Sequence, residues 1–168
     1  MICFCAYLID GTEAMDRKDV ELLNLVQQNN RLTTEQLSKA TGLSATSCQR
    51  RLKNLRSNGI ITADISVISP DAVGRRMTMI VQVSLELDQL EHIDRFKQAM
   101  LTLPEVMQCY YVTGNSDFIL ILTAKDMKDY EAFTRRVFVN NPSIKNFITN
   151  VVMDQVKVGL TIPLEAEE

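Results

Sequence analysis

LSKATGLSATSCQRRLKNLRSNGII, residues Leu37 to Ile61, decides the reading of the first part of this chain. Two short helical patterns flank a tight turn at Thr41-Gly42-Leu43, which Gly42 supplies. The second pattern carries Gln49, Arg50, Arg51, Lys53, Asn54 and Arg56 and no acidic residue. Cys48, Leu52 and Leu55 recur at i, i+4 and i+7 and are expected inside, which leaves Thr46, Gln49, Arg50 and Lys53 outside. A helix-turn-helix with a basic outer face is the pattern of a DNA reader.

Working outward, a preceding helix is expected to start at Asp16, with Asp19 in its first turn and Leu22, Leu23 and Val26 at helical spacing. Asn29-Asn30 ends it, and Thr33-x-x-Gln36 forms a capping box for the next helix, whose inner face is read as Leu37 and Ala40. Ser44 caps the third helix and Asn58-Gly59 stops it. ITADISVIS then reads as a strand or linker closed by Pro70 and Gly74. These signals divide the chain into an extension at 1–14, a helix-turn-helix domain at 15–63, a hinge at 64–75 and a second domain at 76–168.

The second domain reads β-α-β-β-α-β. Met77, Met79, Val81, Val83 and Leu85 alternate along one strand face. Asp88-x-x-Glu91 opens a helix with Leu90, Ile93, Phe96 and Met100 inward, ended by Pro104. Val106–Thr113 and Phe118–Ala124 form a hairpin across Gly114-Asn115-Ser116-Asp117. Asp126 caps a helix with Met127, Tyr130, Phe133 and Val137 inward, and an extended stretch runs from Ile144 to about Val158. The fold class is therefore α+β, a helix-turn-helix followed by a ferredoxin-like βαββαβ sandwich. Phe118-Ile119-Leu120-Ile121-Leu122 does not alternate, so its second apolar face is expected to meet another copy of the chain.

The bulk numbers narrow the classes. Net charge is −3 over 168 residues, against indiscriminate nucleic-acid binding. Residues 1–63 hold 8 Lys+Arg and 6 Asp+Glu, whereas residues 64–168 hold 10 and 15, a division that suggests two jobs. Cys3, Cys5, Cys48 and Cys109 have the spacing of neither a zinc site nor a disulfide framework, so no metal is expected and a reducing, cytoplasmic setting is. No apolar run reaches membrane length, and residues 2–9 are too short and lack the basic start of a signal peptide. One histidine, His92, and no glycine-rich phosphate loop leave little for catalysis, so neither enzyme activity nor a cofactor is expected.

Two candidate sites remain. In the third helix, Gln49 has the donor and acceptor that match adenine, and Arg50 can pair with guanine or grip phosphate. Arg51, Lys53 and Arg56 suit phosphate, and Ser44, Thr46 and Ser47 are short donors near the helix N-terminus. In the hairpin loop, Gly114 permits close approach of a ligand, Asp117 can neutralise an ammonium group and loop N–H groups can hold a carboxylate. Those groups suit a free amino acid, although GNSD is also an ordinary turn sequence.

In this order and spacing the motifs resemble the Lrp/AsnC family of transcriptional regulators, over about Met15 to Leu164. The matching elements are Met15-Asp16-x-x-Asp19-x-x-x-Leu23, Asn29-Asn30-Arg31, the Ser-x-x-x-Cys-x-Arg-Arg run at Ser44, Cys48, Arg50 and Arg51, VTGNSDF at 112–118, and Lys157 to Pro163-Leu164. The resemblance implies double-stranded DNA as a partner and homodimers formed through the sheets. It further implies dimers that build tetramers, octamers or larger assemblies, and an amino-acid effector bound between dimers. By position it implies Gly114, Asn115, Asp117 and Phe118 on the loop side of that pocket, with Thr149 and Val151 on the last strand. Asn115 and Val151 depart from the residues commoner there, an acid and a threonine, so the implied pocket prefers a different amino acid or binds none.

Two other readings stand beside this one. A nucleoid-like architectural protein would bind DNA without sequence preference or effector. Certain haem-pathway decarboxylases share the two-domain plan but need His and Arg groups converging on a large pocket, for which only His92 is available.

Overall fold

The computed structural model describes residues 15–86 and 90–165, in two compact units. One unit ends at Ser66 and is rejoined by the tail from Lys157; the other spans Val67–Val156. The expectations for residues 1–14, for Asp88 as a cap and for the Leu90 side chain lie outside the described residues.

The first unit contains α1 (Arg17–Val26), α2 (Thr34–Thr41) and α3 (Ala45–Ser57). Each starts where a short polar side chain takes an orphan backbone N–H. Asp16 Oδ1 accepts from Asp19 N at 2.9 Å, and Ser44 Oγ accepts from Ser47 N at 3.2 Å. At α2 the box is reciprocal: Thr33 Oγ1 accepts from Gln36 N at 3.3 Å and Gln36 Oε1 accepts from Thr33 N at 2.8 Å. Gly42, with φ 70°, makes the left-handed exit from α2. Leu22, Leu23, Leu37, Cys48, Leu52 and Leu55 form the core. Ala40, expected inside, is exposed; Thr41 is buried in its place, one full turn after Leu37, and its hydroxyl donates to Leu37 O at 2.8 Å. The tail returns to this unit. Gln27 Nε2 donates to Ile162 O at 3.0 Å, Gln27 Oε1 accepts from Ile162 N at 3.1 Å, and Leu164 packs on the core.

The second unit contains β1 (Met77–Leu85), α4 (Leu90–Leu101), β2 (Val106–Tyr111), β3 (Phe118–Ala124), α5 (Met127–Thr134) and β4 (Ile144–Val151). Strand order is β2-β3-β1-β4 with every neighbouring pair antiparallel, the split βαβ plan expected from the element order. Met79, Val81, Val83 and Leu85 of β1 and Phe118, Leu120, Leu122 and Ala124 of β3 are buried together with Ile93, Phe96, Met100, Tyr130, Phe133 and Phe138. A π-helical turn, Arg135–Val139, continues α5 and turns Phe138 inward beside the expected Val137. Met127, expected inward, is exposed at the first position of α5.

β4 stops at Val151 rather than near Val158. Its partner β1 begins at Met77, so beyond the bond from Val152 N to Thr78 O at 2.9 Å there is no strand left to pair with. β2 stops at Tyr111, and Val112 N closes the hairpin on Asp117 O at 2.9 Å.

Phe118 is fully buried, with its ring 4.5 Å from that of Phe96 and 5.1 Å from that of Tyr111. Truncation leaves a cavity the sheet cannot close. Phe118→Ala is predicted to lower stability by about 3–5 kcal/mol in urea denaturation, and a loss below about 1 kcal/mol would refute that role.

Candidate nucleic-acid interface and effector loop

The inward stripe of α3 sets what its other face can do. With Cys48, Leu52 and Leu55 buried, Thr46, Gln49, Arg50 and Lys53 stand exposed in one row. Successive residues turn by about 100°, so these four span roughly 100° of the helix surface. Among the described residues, the side chains of Thr46, Gln49, Arg50 and Lys53 form no hydrogen bond or ion pair within the chain. Four donor-bearing groups held on a rigid helix and left without internal partners can meet base edges and phosphates without breaking existing bonds. Ser44 and Ser47 sit at the α3 N-terminus, engaged with each other through the cap, and Ser47 is half-buried.

Arg51 and Arg56 are placed differently from this row. Arg51 Nη1 lies 2.7 Å from Asp16 Oδ2 and 2.9 Å from Asp19 Oδ1. Arg56 grips Asp64 with Nε at 2.8 Å and Nη2 at 3.2 Å, on a more exposed part of the surface. Both guanidiniums expected at phosphates are thus already paired with carboxylates. The Asp19 N–H and the Arg51 guanidinium together hold the Asp16 carboxyl below its ordinary value of 3.8.

The hairpin loop is pinned from one side. Asp117 Oδ2 accepts from Leu85 N at 2.8 Å, and Asp117 N donates to Val83 O at 3.0 Å. The loop is thereby tied to the end of β1. Gly114 has φ 124°, a conformation that a side chain would strain, and Gly114 and Asn115 are exposed. The second carboxylate oxygen of Asp117 makes no hydrogen bond among the described residues. A carboxylate has acceptor capacity for a further donor such as an ammonium.

Not all the effector candidates come together. Phe118 is a core residue, fully buried and unable to offer its surface to a ligand. Thr149 pairs with Val81 and Val151 with Met79, on the far side of β1 from the loop. Two strand spacings, about 10 Å, separate β3 from β4, and Met79 is about 20 Å along β1 from Leu85. The loop and Val151 of one chain therefore cannot hold one small molecule. Thr149 turns to the helix side and hydrogen-bonds the Tyr130 hydroxyl. Burial pushes that phenol up, with the Thr149 bond opposing.

Sequence reasoning passed over the open face of the sheet beyond β3. Register places Ile80, Ile119, Ile121, Ile148 and Tyr110 there, with Gln82 and Gln108 among them. Ile148 is 57% exposed and Tyr110 48%. Cys109, opposite Leu120 on the edge strand, is exposed, yet desolvation by its surroundings pushes the thiol to about 11. Alternation read two strands at a time would have found this face, because Gln82 and Ile119 pair directly. Among the described residues no group of His, Cys, Asp and Glu could hold a metal ion, and no helix is long and apolar enough to cross a membrane.

Two predictions follow the geometry of α3 and α1. Arg50→Ala should keep the far-UV circular dichroism and unfolding temperature of the parent while lowering affinity for a preferred duplex by about tenfold or more; unchanged affinity would remove α3 from the role of reader. The Asp16 carboxyl has a depressed folded value, so its contribution to stability is present above pH 3.8 and lost as pH falls through the folded value. Thermal unfolding is expected to show no contribution from Asp16 to pH dependence between pH 5 and 8. Asp16→Asn should remove part of the acid-induced drop below about pH 4, and an Asp16→Asn profile that superposes on the parent there would contradict the assignment.

Comparison with known proteins finds two matching regions. Residues 15–62 match the family described as winged helix-turn-helix DNA-binding, and residues 78–162 match the Lrp/AsnC ligand binding domain. An HTH-type transcriptional regulator of Sinorhizobium fredii is 58% identical over 158 residues, 94% of each chain. The Escherichia coli transcriptional activator DecR is 28% identical over 151 residues, 90% of this chain and 99% of its own. A crystal structure of a Neisseria meningitidis transcriptional regulator in complex with L-Met superposes with a TM-score of 0.85 at 27% identity, covering 89% of this chain and 97% of that one. The order of elements, the exposed basic row on α3 and these matches together make the chain a member of the Lrp/AsnC family of transcriptional regulators, with a helix-turn-helix DNA-binding domain ahead of a ligand-binding domain.

Proposed function

We propose that this regulator reads a specific duplex sequence in the cytoplasm and responds to a free amino acid bound between chains. The row Thr46, Gln49, Arg50 and Lys53 carries the DNA half of this reading, because it is exposed, basic and unengaged within the chain. A helix of this size fits the major groove with such a row against base edges. Ser44 and Ser47 add donors at the helix N-terminus, where a phosphate is favoured. Arg56 could reach a phosphate by exchanging Asp64 for it.

Two copies pair through the open sheet face, covering Ile80, Ile119, Ile121 and Ile148. Paired copies present two reading helices to half-sites one helical turn or a multiple apart. The dimers associate further into an even-numbered assembly.

The ligand half rests on the loop. The unbonded Asp117 oxygen suits an ammonium, and the exposed Gly114-Asn115 backbone suits a carboxylate. L-Met in the Neisseria meningitidis relative is a ligand with both groups. The distance from the loop to Thr149 and Val151 within one chain favours a pocket completed by another chain, where a ligand can bias assembly. Such coupling requires the ligand to bind one assembly better than another.

The test is fluorescence anisotropy with a duplex selected from a random pool and a scrambled control, in the presence and absence of single amino acids, with sedimentation velocity on the same samples. The expected preference is about a hundredfold or more, and one amino acid should shift both affinity and sedimentation by a measurable factor. Equal affinity for both duplexes would favour an architectural protein. Preference without any amino-acid response would leave a reader that works without an effector.

A further inference from the structure

We propose that Arg51 is a positioning residue that locks the reading helix α3 to the first turn of α1 and does not touch DNA; the proposal rests on α3 being the reader. Three observations carry it.

The first is angular. Arg51 lies about 140° around α3 from Thr46, on the flank of the buried Cys48 and Leu55 and away from the exposed row. Its side chain is 24% exposed, less than that of Arg56 at 41%. Its Nε is buried, although it has no partner among the described residues.

The second is the partner set. One nitrogen, Nη1, meets two carboxylates, Asp16 Oδ2 at 2.7 Å and Asp19 Oδ1 at 2.9 Å. These acids also serve the N-terminus of α1, where Asp16 caps the helix and Asp19 sits in the first turn. Arg51 thus joins a helix terminus to the middle of another helix 32 residues away in the chain.

The third is charge. Arg51 with Asp16 and Asp19 is a corner of net charge −1. A phosphate brought there would meet two carboxylates and one guanidinium already bonded to both. Arg50 and Lys53 present no such conflict.

The two roles make opposite forecasts for Asp19→Asn. If Arg51 is a phosphate contact, removing the Asp19 charge leaves it held by Asp16 alone and takes away a repelling charge, so DNA affinity rises. If Arg51 positions α3, removing Asp19 loosens the helix and affinity falls.

The experiment uses full-length Arg51→Gln, Arg51→Lys, Asp19→Asn and the Arg51→Gln/Asp19→Asn double variant, with Lys53→Gln as a phosphate-contact control. Affinity for the selected duplex is measured across a salt series, well below the unfolding temperature of each variant. Arg51→Gln and Asp19→Asn should each weaken binding by about tenfold, and the double variant by no more than Arg51→Gln alone. The salt slope should stay at the parent value in all of these, while Lys53→Gln lowers it by about 1. Arg51→Lys, which keeps the charge but can reach only as a point contact, should recover part of the loss.

A slope lowered by about 1 in Arg51→Gln, with tighter binding by Asp19→Asn, would overturn the proposal in favour of a phosphate contact. Parent-like affinity in both single variants, with only a lower unfolding temperature, would overturn it in favour of a role in stability alone. Failure of the parent chain to distinguish the selected from the scrambled duplex would sink sequence reading by itself, and the slope in Arg51→Gln would still decide for or against Arg51.

Discussion

The burial of one stripe of α3 is the constraint on which the rest of the helix-turn-helix unit depends. Cys48, Leu52 and Leu55 go under Leu22, Leu23 and Leu37, and a helix buried on one side has only the other side to offer. The caps at Asp16, Thr33 and Ser44 set where each helix begins, and so which residues fall on which side. A small three-helix unit has little apolar surface to bury, and the return of the tail through Gln27, Ile162 and Leu164 adds to it. The C-terminal residues are in this sense part of the DNA-binding unit, although they follow the last strand of the other.

The sheet unit obeys a different constraint. Helices α4 and α5 cover one face, and the residues on that face are large and apolar. The opposite face carries Ile80, Ile119, Ile121 and Ile148, apolar groups that a lone chain leaves partly in water. Burying such surface is favourable by roughly 25 cal/mol per Å², which favours pairing of copies. The distance between the loop and Val151 points in the same direction, since a pocket using both must draw on two chains. Under the proposed function, DNA reading and ligand sensing meet through assembly, with no path through the interior of one chain required.

Much of this was legible in the residues. The caps, the Cys48-Leu52-Leu55 stripe and the β-α-β-β-α-β order rest on local signals, and short-range geometry decides them. The Phe118–Leu122 strand announced a second apolar face by failing to alternate. What stayed hidden depends on contacts between distant residues. Ala40 and Thr41 are neighbours, and only the packing of α2 against α3, with Thr41 beside Cys48, decides which is buried. The end of β4 depends on where β1 begins. Arg51 looked like one more cation in a basic run because its two acids lie in another helix; the helical turn alone already set it apart from Arg50. Phe118 follows the loop in sequence but belongs to the core, because β3 turns it toward Phe96.

The central claim is that α3 reads DNA from the major groove with its exposed row. Methylation interference at guanine N7, an atom displayed only in that groove, tests it most directly. The account predicts two clusters of guanines at which methylation blocks binding, separated by about 10 base pairs or a multiple of that. Binding that tolerates N7 methylation at every guanine of a selected site containing G·C pairs would contradict it.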